Sequence, residues 1–216
     1  KINYNGNVVP IRMNNALGKT AAYASAAGAA VGMIFGVNLV KIAENFSKME
    51  LPAGRLRVMP GIKGSVVIDD TYNASPLAMR EALEIFKNLK VKRKIAVLGD
   101  MLEIGKYTME AHEEIGAFAA KQADLLLTVG LRGKFIAEGA LKNKMPKNSV
   151  FTFDDIHEAG HFLQEHLKAG DAVLLKASQG VRMEKVVKEI MTEPLRSKEL
   201  LVRQNKEWLA KPGLYE

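Results

Sequence analysis

The sequence predicts an α/β protein built on a doubly wound, mostly parallel, Rossmann-like sheet. Apolar residues make up 48% of the 216 positions, which is enough for a sizeable core. Continuous apolar runs are typical of strands buried on both faces, and their alternation with helices favours parallel pairing with right-handed crossovers. The runs of strand length are 65–69, 94–98, 124–129, 149–153 and 171–175.

Segments with helical periodicity separate these runs. In the first of them Met79, Leu83 and Phe86 recur at spacings of three and four, which predicts a helix with one buried face. Ser75 and Pro76 precede that pattern in the order expected of an N-cap and a first helical residue. The predicted helices are 76–89, 108–122, 132–142, 156–168 and 181–191.

Residues 1–52 have a different pattern, with an extended piece at 7–13 and helices at 18–35 and 39–49. Glycines at every fourth position give the first helix a smooth stripe, for which we expect no partner within these fifty residues. Pro52 and Gly54 then break the pattern. We therefore predict three parts: a block 1–52, a domain 53–192, and a tail 193–216 that is either a docked amphipathic helix or a frayed end.

Composition excludes several classes of protein. The chain has no cysteine, so disulfide scaffolds, thiolate zinc sites and cysteine nucleophiles are excluded. Glycines and polar residues interrupt the apolar stretch 21–40, so no membrane insertion is predicted. The net charge of +7 suits anionic partners such as nucleotides, but the basic residues form no dense run with aromatics, which argues against nucleic acid.

Short matches to functional signatures lack the context those signatures require. The stretch 18–20 reads Gly-Lys-Thr, but Met13 stands where a phosphate-binding P-loop needs glycine. His157 and His161 have the spacing of a zinc-protease signature, yet the buried stripe of their helix turns them toward solvent. We interpret His112, inside another helix, as a satisfied and partly buried histidine.

Polar segments follow the predicted strands at 69–76, 99–103 and 176–180. The carboxyl ends of parallel strands share one edge of a sheet, where ligands of open α/β sheets bind. The third segment is a Gly-and-Ser turn beside a lysine that opens a helix, a pattern that favours an anion site. A plain turn with a solvated lysine remains the alternative. The acidic residues of the first two segments fix no coordination shell, so no metal site is predicted.

Four motifs in this order resemble the C-terminal domain of Mur ligases. They are Pro-Ala-Gly-Arg at 52–55, Asp-Asp-Thr-Tyr-Asn at 69–73, Leu-Gly-Asp-Met-Leu-Glu-Ile-Gly at 98–105 and Lys-Ala-Ser-Gln-Gly at 176–180. Residues 1–52 resemble the end of the family's central ATPase domain. Within the family, the motifs are most similar to those of members that join D-alanyl-D-alanine to UDP-N-acetylmuramoyl-tripeptide in peptidoglycan synthesis.

The resemblance implies a cytoplasmic, ATP-dependent acid–amino-acid ligase that works through an acyl phosphate. It implies ATP and Mg²⁺ as cofactors, and UDP-MurNAc-tripeptide and D-Ala-D-Ala as substrates. It also implies that the P-loop, the magnesium ligands and the sugar-binding domain precede residue 1, so the chain alone is expected to be inactive. The alternative is a stand-alone nucleotide-binding or regulatory module of the same fold.

The resemblance also implies roles for individual residues in nucleotide binding. Arg55 would reach the nucleotide phosphates. Asp70, Tyr72 and Asn73 would contact the nucleoside. Asn15 would contact the adenine.

A second group would lie near the peptide and the incoming amino substrate, and it comprises Lys176 and Ser178. Ala177 and Gln179 depart from the glycine and arginine usual in the family. We expect Ala177 to restrict a turn that needs a positive φ, and Gln179 to remove a charge that could bind a carboxylate.

Overall fold

The computed structural model describes residues 1–14 and 16–216, which form two compact units, Lys1–Pro52 and Ala53–Glu216. The first unit contains β1 (Ile2–Tyr4), β2 (Asn7–Val9), α1 (Lys19–Ile34) and α2 (Leu39–Lys48). Both helices confirm the sequence prediction to within two residues. The extended piece is shorter than predicted, because β2 pairs with β1 as a hairpin turned by Asn5 and Gly6, both at positive φ.

The glycine stripe of α1 packs within its own unit, so the expectation that it lacks a partner there is wrong. A Cβ at Gly32 would lie 3.2 Å from Ile42 of α2, and one at Gly28 would lie 3.5 Å from the Phe46 ring. The smooth face therefore admits the large side chains of α2. None of the helices in the described part of the chain combines the length and apolar character needed to cross a membrane.

The second unit is built on a six-stranded sheet in the order β3-β4-β8-β5-β6-β7. Its strands are β3 (Arg57–Pro60), β4 (Val66–Asp69), β5 (Arg93–Gly99), β6 (Leu125–Val129), β7 (Val150–Phe153) and β8 (Asp171–Lys176). All five predicted strands are confirmed and pair in parallel. The antiparallel edge strand β3 was not predicted, because its four residues include an arginine and a proline and give no apolar run.

Helices cover both faces of the sheet. They are α3 (Pro76–Lys87), α4 (Thr108–Ala119), α5 (Gly133–Lys142), α6 (Ile156–His166) and α7 (Glu184–Ile190). Ser75 caps α3 as predicted, its Oγ accepting from the Ala78 N–H at 3.3 Å. α7 starts three residues later than predicted because Arg182 has a left-handed backbone, with φ of 64°.

The tail returns to the body of the second unit. It contains a 3-10 turn (Pro194–Arg196) and two short α-helices, α8 (Ser197–Leu200) and α9 (Lys206–Leu209). Leu200 and Leu201 are buried in the core between the sheet, α6 and α7. Further along, the Leu214 N–H donates to the Gly180 carbonyl at 3.0 Å. The tail is therefore docked, through short turns rather than one amphipathic helix.

Strand register brings the predicted polar segments to one edge. Asp69 at the end of β4 pairs with Leu175 of β8, while Lys176 pairs with Leu98 of β5. Asp70 continues the ladder, its N–H donating to the Leu175 carbonyl at 3.0 Å. The carboxyl ends of three adjacent strands thus meet as the sequence predicts.

Candidate functional site

A buried ion pair occupies the middle of this edge. The Lys176 Nζ donates to Asp70 Oδ2 at 2.5 Å and to the Asn73 carbonyl at 3.0 Å. The two side chains are 3% and 9% exposed. Burial raises the pKa of Asp70, and the neighbouring Lys176 ammonium opposes that shift. In this conformation the positive charge of Lys176 is therefore neutralised inside the protein.

The second carboxylate of the motif, Asp69, organises the backbone around it. Its Oδ1 accepts from the Thr71 hydroxyl at 2.6 Å and the Thr71 N–H at 3.1 Å, and its Oδ2 accepts from the Gly54 N–H at 3.1 Å. Complete burial raises its pKa to about 6, against the lowering effect of these hydrogen bonds. We call Asp69, Asp70 and Lys176 the buried support.

The buried support fixes the turn that carries Arg55. Asp69 binds the amide of Gly54, and Asp70 Oδ1 accepts from the Leu56 N–H at 3.2 Å. Gly54 has φ of 68°, and a Cβ there would lie 2.9 Å from the Tyr72 amide nitrogen. A glycine is therefore required at this position, which explains the Gly-Arg pair of the motif.

Arg55 and Tyr72 form a pair that faces solvent. The Arg55 guanidinium carbon lies 4.1 Å from the centre of the Tyr72 ring, a cation–π arrangement. Arg55 is exposed, and Tyr72 is 43% exposed. Among described residues, Arg55 has no hydrogen-bond or ion-pair partner. We call Arg55 and Tyr72 the exposed stack; Asn73, also exposed, follows it directly.

A cleft of about 710 Å³ adjoins the exposed stack. Residues 73–76, 102–104 and 178–180 line it. Ser178 joins its walls: its Oγ accepts from the Leu102 N–H at 2.8 Å and donates to the Ala74 carbonyl at 3.4 Å. The structure therefore brings Asn73 and Ser178 to one cleft, as expected of residues at one edge.

The loop of Ala177 and Gln179 differs from its expected geometry. Ala177 is not among the residues with positive φ in the described chain, so the expectation that this position needs one is wrong. The Ala177 Cβ instead packs against Gly99, so closely that a Cβ added to Gly99 would lie 2.8 Å from it. Gln179 is exposed and lines the cleft, at the position where an arginine would add a positive charge.

Asp100, a carboxylate of the third motif, is fully buried and engaged. Its Oδ1 accepts from the N–H groups of Arg132 and Gly133 at 2.9 and 2.8 Å. Its Oδ2 accepts from the Arg132 guanidinium at 3.2 Å and from the Tyr215 hydroxyl at 2.5 Å. Burial and this hydrogen bond raise the pKa of Tyr215 to about 12.

His112 supports the cleft loop from inside, as predicted for a satisfied histidine. Its Nε2 accepts from the Met101 N–H at 2.9 Å, so Nδ1 carries the proton and donates to the Thr108 carbonyl at 2.6 Å. Burial lowers its pKa. The neutral ring is therefore the form that holds the loop.

The edge carries no ready metal site among residues 1–14 and 16–216, where no group of three His, Asp or Glu side chains is placed to hold an ion. Asp69, Asp70 and Asp100 are all engaged internally. Of the zinc-like pair, His157 contacts Glu189 Oε1 through Nδ1 at 2.6 Å, and His161 is exposed.

Sequence reasoning missed the part played by the tail. Tyr215 binds Asp100, and Arg203 binds the backbone that carries Tyr72. No motif or periodicity marks either residue, and their contacts span more than 110 positions of sequence. Asn15, the predicted adenine contact, lies outside the described residues.

Comparison with known proteins supports the resemblance found in the sequence. Residues 54–179 match the family model of the Mur ligase, glutamate ligase domain. A UDP-N-acetylmuramoyl-tripeptide–D-alanyl-D-alanine ligase of Bacillus subtilis is 35% identical over 83% of this chain and 39% of its own length. The ligase of the same name from Rickettsia prowazekii is 30% identical over 71% of this chain and 33% of its own length. The chain thus spans between a third and two fifths of these relatives.

Solved structures match the fold over a similar share. The MurF ligase of Thermotoga maritima, crystallised in complex with ADP, has a TM-score of 0.63 and 28% identity, covering 80% of this chain and 38% of that one. A MurF structure from Acinetobacter baumannii has a TM-score of 0.73 and 27% identity, with coverage of 82% and 38%. The chain therefore belongs to the Mur ligase family, and residues 54–179 form its glutamate ligase domain.

Proposed function

We propose that this chain is the C-terminal part of an ATP-dependent ligase that joins D-alanyl-D-alanine to UDP-MurNAc-tripeptide in peptidoglycan synthesis. The names of its relatives support the reaction. The observation that carries the proposal is the exposed stack, which sets an exposed guanidinium and a partly exposed aromatic ring next to Asn73, a residue that lines the cleft at the carboxyl edge of the sheet.

The proposed chemistry requires positive charge near the phosphates. ATP transfers its γ-phosphoryl group to the tripeptide carboxylate, and the dipeptide amine then displaces phosphate from the acyl phosphate. Negative charge accumulates on phosphate oxygens in the first step. An exposed guanidinium whose neighbour is an aromatic ring can exchange water for that charge, so we assign Arg55 to the phosphates.

The other nucleotide residues have different surroundings. Tyr72 and Asn73 are exposed and can contact a nucleoside directly. Asp70 is occupied by Lys176 and by the Leu56 amide, so we propose that it acts by shaping the turn of Arg55. From the resemblance of the sequence motifs we also propose that Asn15 meets the adenine.

For the amino substrate we propose the cleft itself. Ser178 lines it and joins its walls. Lys176 lies beneath, paired with Asp70 and bound to the Asn73 carbonyl, so in this conformation it supports the cleft wall and is not free to bind a substrate carboxylate.

We propose the domain organisation, the cellular location and the use of Mg²⁺ from membership of the family. Residues 1–52 would belong to the central ATPase domain, 53–192 to the C-terminal domain and 193–216 to its tail. The enzyme would work in the cytoplasm. Mg²⁺ would neutralise phosphate charge, held by residues other than the engaged carboxylates of this edge.

The test is a ligation assay on the full-length protein. We expect ADP and phosphate release to require UDP-MurNAc-tripeptide and D-Ala-D-Ala together, with L-Ala-L-Ala as the matched control that gives no product. ADP binding without ligation would support a regulatory module instead. We expect no turnover from the 216-residue chain alone, since half of a phosphoryl-transfer site cannot align the reactants.

A further inference from the structure

A residue of the tail holds the backbone of the segment 69–73. The Arg203 guanidinium donates from one nitrogen to the Thr71 carbonyl at 3.1 Å and from the other to the Tyr72 carbonyl. The Arg203 side chain is 5% exposed. Two successive carbonyls are thus bound by one planar fork, a geometry that the single ammonium of lysine does not reproduce.

Glu184 anchors this guanidinium. Its carboxylate is fully buried, and its Oε2 accepts from Arg203 at 3.1 Å. Its Oε1 accepts from Arg182 Nε at 2.6 Å. Arg182 in turn donates to the carbonyls of Trp208 and Lys211 at 2.9 and 2.7 Å. One carboxylate therefore fixes two arginines, and both bind backbone carbonyls.

Tyr72 is consequently held from three sides. Its amide donates to the Gly54 carbonyl at 3.0 Å, its carbonyl accepts from Arg203, and Arg55 lies over its ring. Tyr72 as a whole remains 43% exposed, and the Arg203 guanidinium carbon also lies 5.7 Å from the centre of its ring. A partly exposed ring on a fixed backbone needs little ordering when a ligand packs against it.

We propose that Arg203, anchored by Glu184, is a positioning residue that sets the exposed stack for nucleotide binding. The inference rests on the proposed function of this edge. Arg203 and Glu184 both lie outside the residues that match the family model. The tail would therefore contribute to the nucleotide site without touching the nucleotide.

The first test is steady-state kinetics of the full-length ligase with Arg203→Ala and Arg203→Lys. We expect the KM for ATP to rise roughly ten- to thirtyfold in Arg203→Ala, because a buried charge-assisted contact is lost. The KM for D-Ala-D-Ala should change less than about twofold. Arg203→Lys keeps the charge beside Glu184 but lacks the fork, so its KM for ATP should lie between those of the wild type and Arg203→Ala.

Arg196→Ala is the matched control. Arg196 lies in the same tail, and within the described part of the chain its side chain binds the exposed carboxylates of Glu193 and Glu199. Its replacement by alanine changes the net charge by the same amount as Arg203→Ala. We expect its kinetic constants to match the wild type. A folded Arg203→Ala protein with an unchanged KM for ATP would overturn the proposal, as would equal rises in the KM values of both substrates.

Hydrogen exchange in the unmodified full-length protein tests the same link without depending on a variant that folds. Saturating ADP should slow amide exchange at residues 71–73 and at 202–204 together, because coupling between linked groups is reciprocal. Protection at 71–73 alone would contradict the positioning role. Absence of protection at both would contradict the nucleotide role of the edge, and the positioning role with it.

Discussion

The exposed stack and the buried support lie at the same edge, yet their charges are in opposite surroundings. Arg55 is in solvent with an aromatic ring as its neighbour. Lys176 is 3% exposed and faces a carboxylate at 2.5 Å. One basic side chain can exchange water for a ligand, whereas the other already has a protein partner.

This difference shows that burial decides whether a charged residue at this edge stabilises the fold or is available to bind a ligand. Moving a charge out of water costs several kcal/mol unless a partner compensates, so a buried ammonium is committed to its carboxylate. An exposed guanidinium has no such commitment. We therefore expect changes in the buried support to alter stability first and changes in the exposed stack to alter ligand binding first.

The largest expected effect comes from breaking the buried pair. Lys176→Met leaves Asp70 buried without its ammonium and should lower the free energy of unfolding by about 3–5 kcal/mol. Urea denaturation followed by the fluorescence of Trp208, the single tryptophan, measures this in the second unit. Lys185→Met is the control, because Lys185 pairs with Glu216 at a partly exposed site and should lose less than about 1 kcal/mol. Equal losses would contradict the comparison.

The next effect concerns pH and Asp69. Its pKa is raised to about 6 in the folded protein, so between the unfolded value and that pKa the folded state binds more protons. Its contribution to stability is therefore present at acid pH and is lost as the pH rises through about 6. Relative to Asp69→Asn, the wild-type free energy of unfolding should fall by up to about 3 kcal/mol on going from about pH 4 to pH 7.5.

The comparison with Asp69→Asn is needed because another buried group changes the free energy of unfolding with pH in the opposite direction. The pKa of His112 is lowered by burial, so its contribution to stability falls as the pH drops below the usual histidine value. Urea titrations across pH for both proteins give the difference that belongs to Asp69. A difference that does not vary with pH would show that Asp69 titrates normally.

The smallest effect is expected at the ring of the exposed stack. Tyr72→Leu removes the cation–π contact with Arg55 at 4.1 Å and the longer one with Arg203 at 5.7 Å; such a contact is worth about 0.5–1 kcal/mol at exposed sites, and the longer one less. The free energy of unfolding, again from Trp208 fluorescence, should therefore change by no more than about 1 kcal/mol. A loss comparable to that of Lys176→Met would place Tyr72 with the buried support.

Strands and helix starts could be predicted where a local sequence pattern determines them. The five parallel strands are continuous apolar runs, and Ser75 and Pro76 mark the start of α3. β3 gives no such run, and its pairing depends on β4. The start of α7 could not be predicted, because a left-handed arginine at 182 delays it, whereas its end lies within one residue of the prediction.

The site was predictable in position but less so in the roles of its residues. Residue type shows that Lys176, Asp70 and Arg55 carry charge, and strand order brings them to one edge. Whether each charge meets solvent or another side chain depends on tertiary packing. Arg203 lies 131 residues from the carbonyl it binds at Tyr72, and no local pattern indicates such a contact.

The central claim is that Arg55 binds the nucleotide and does not stabilise the fold. An equilibrium titration of ADP into the full-length protein, wild type against Arg55→Ala, tests it most directly. We expect the affinity to fall about tenfold or more, while the free energy of unfolding of the 216-residue chain, followed by Trp208 fluorescence, changes by less than about 0.5 kcal/mol. An unchanged affinity for ADP in the folded variant would contradict the claim.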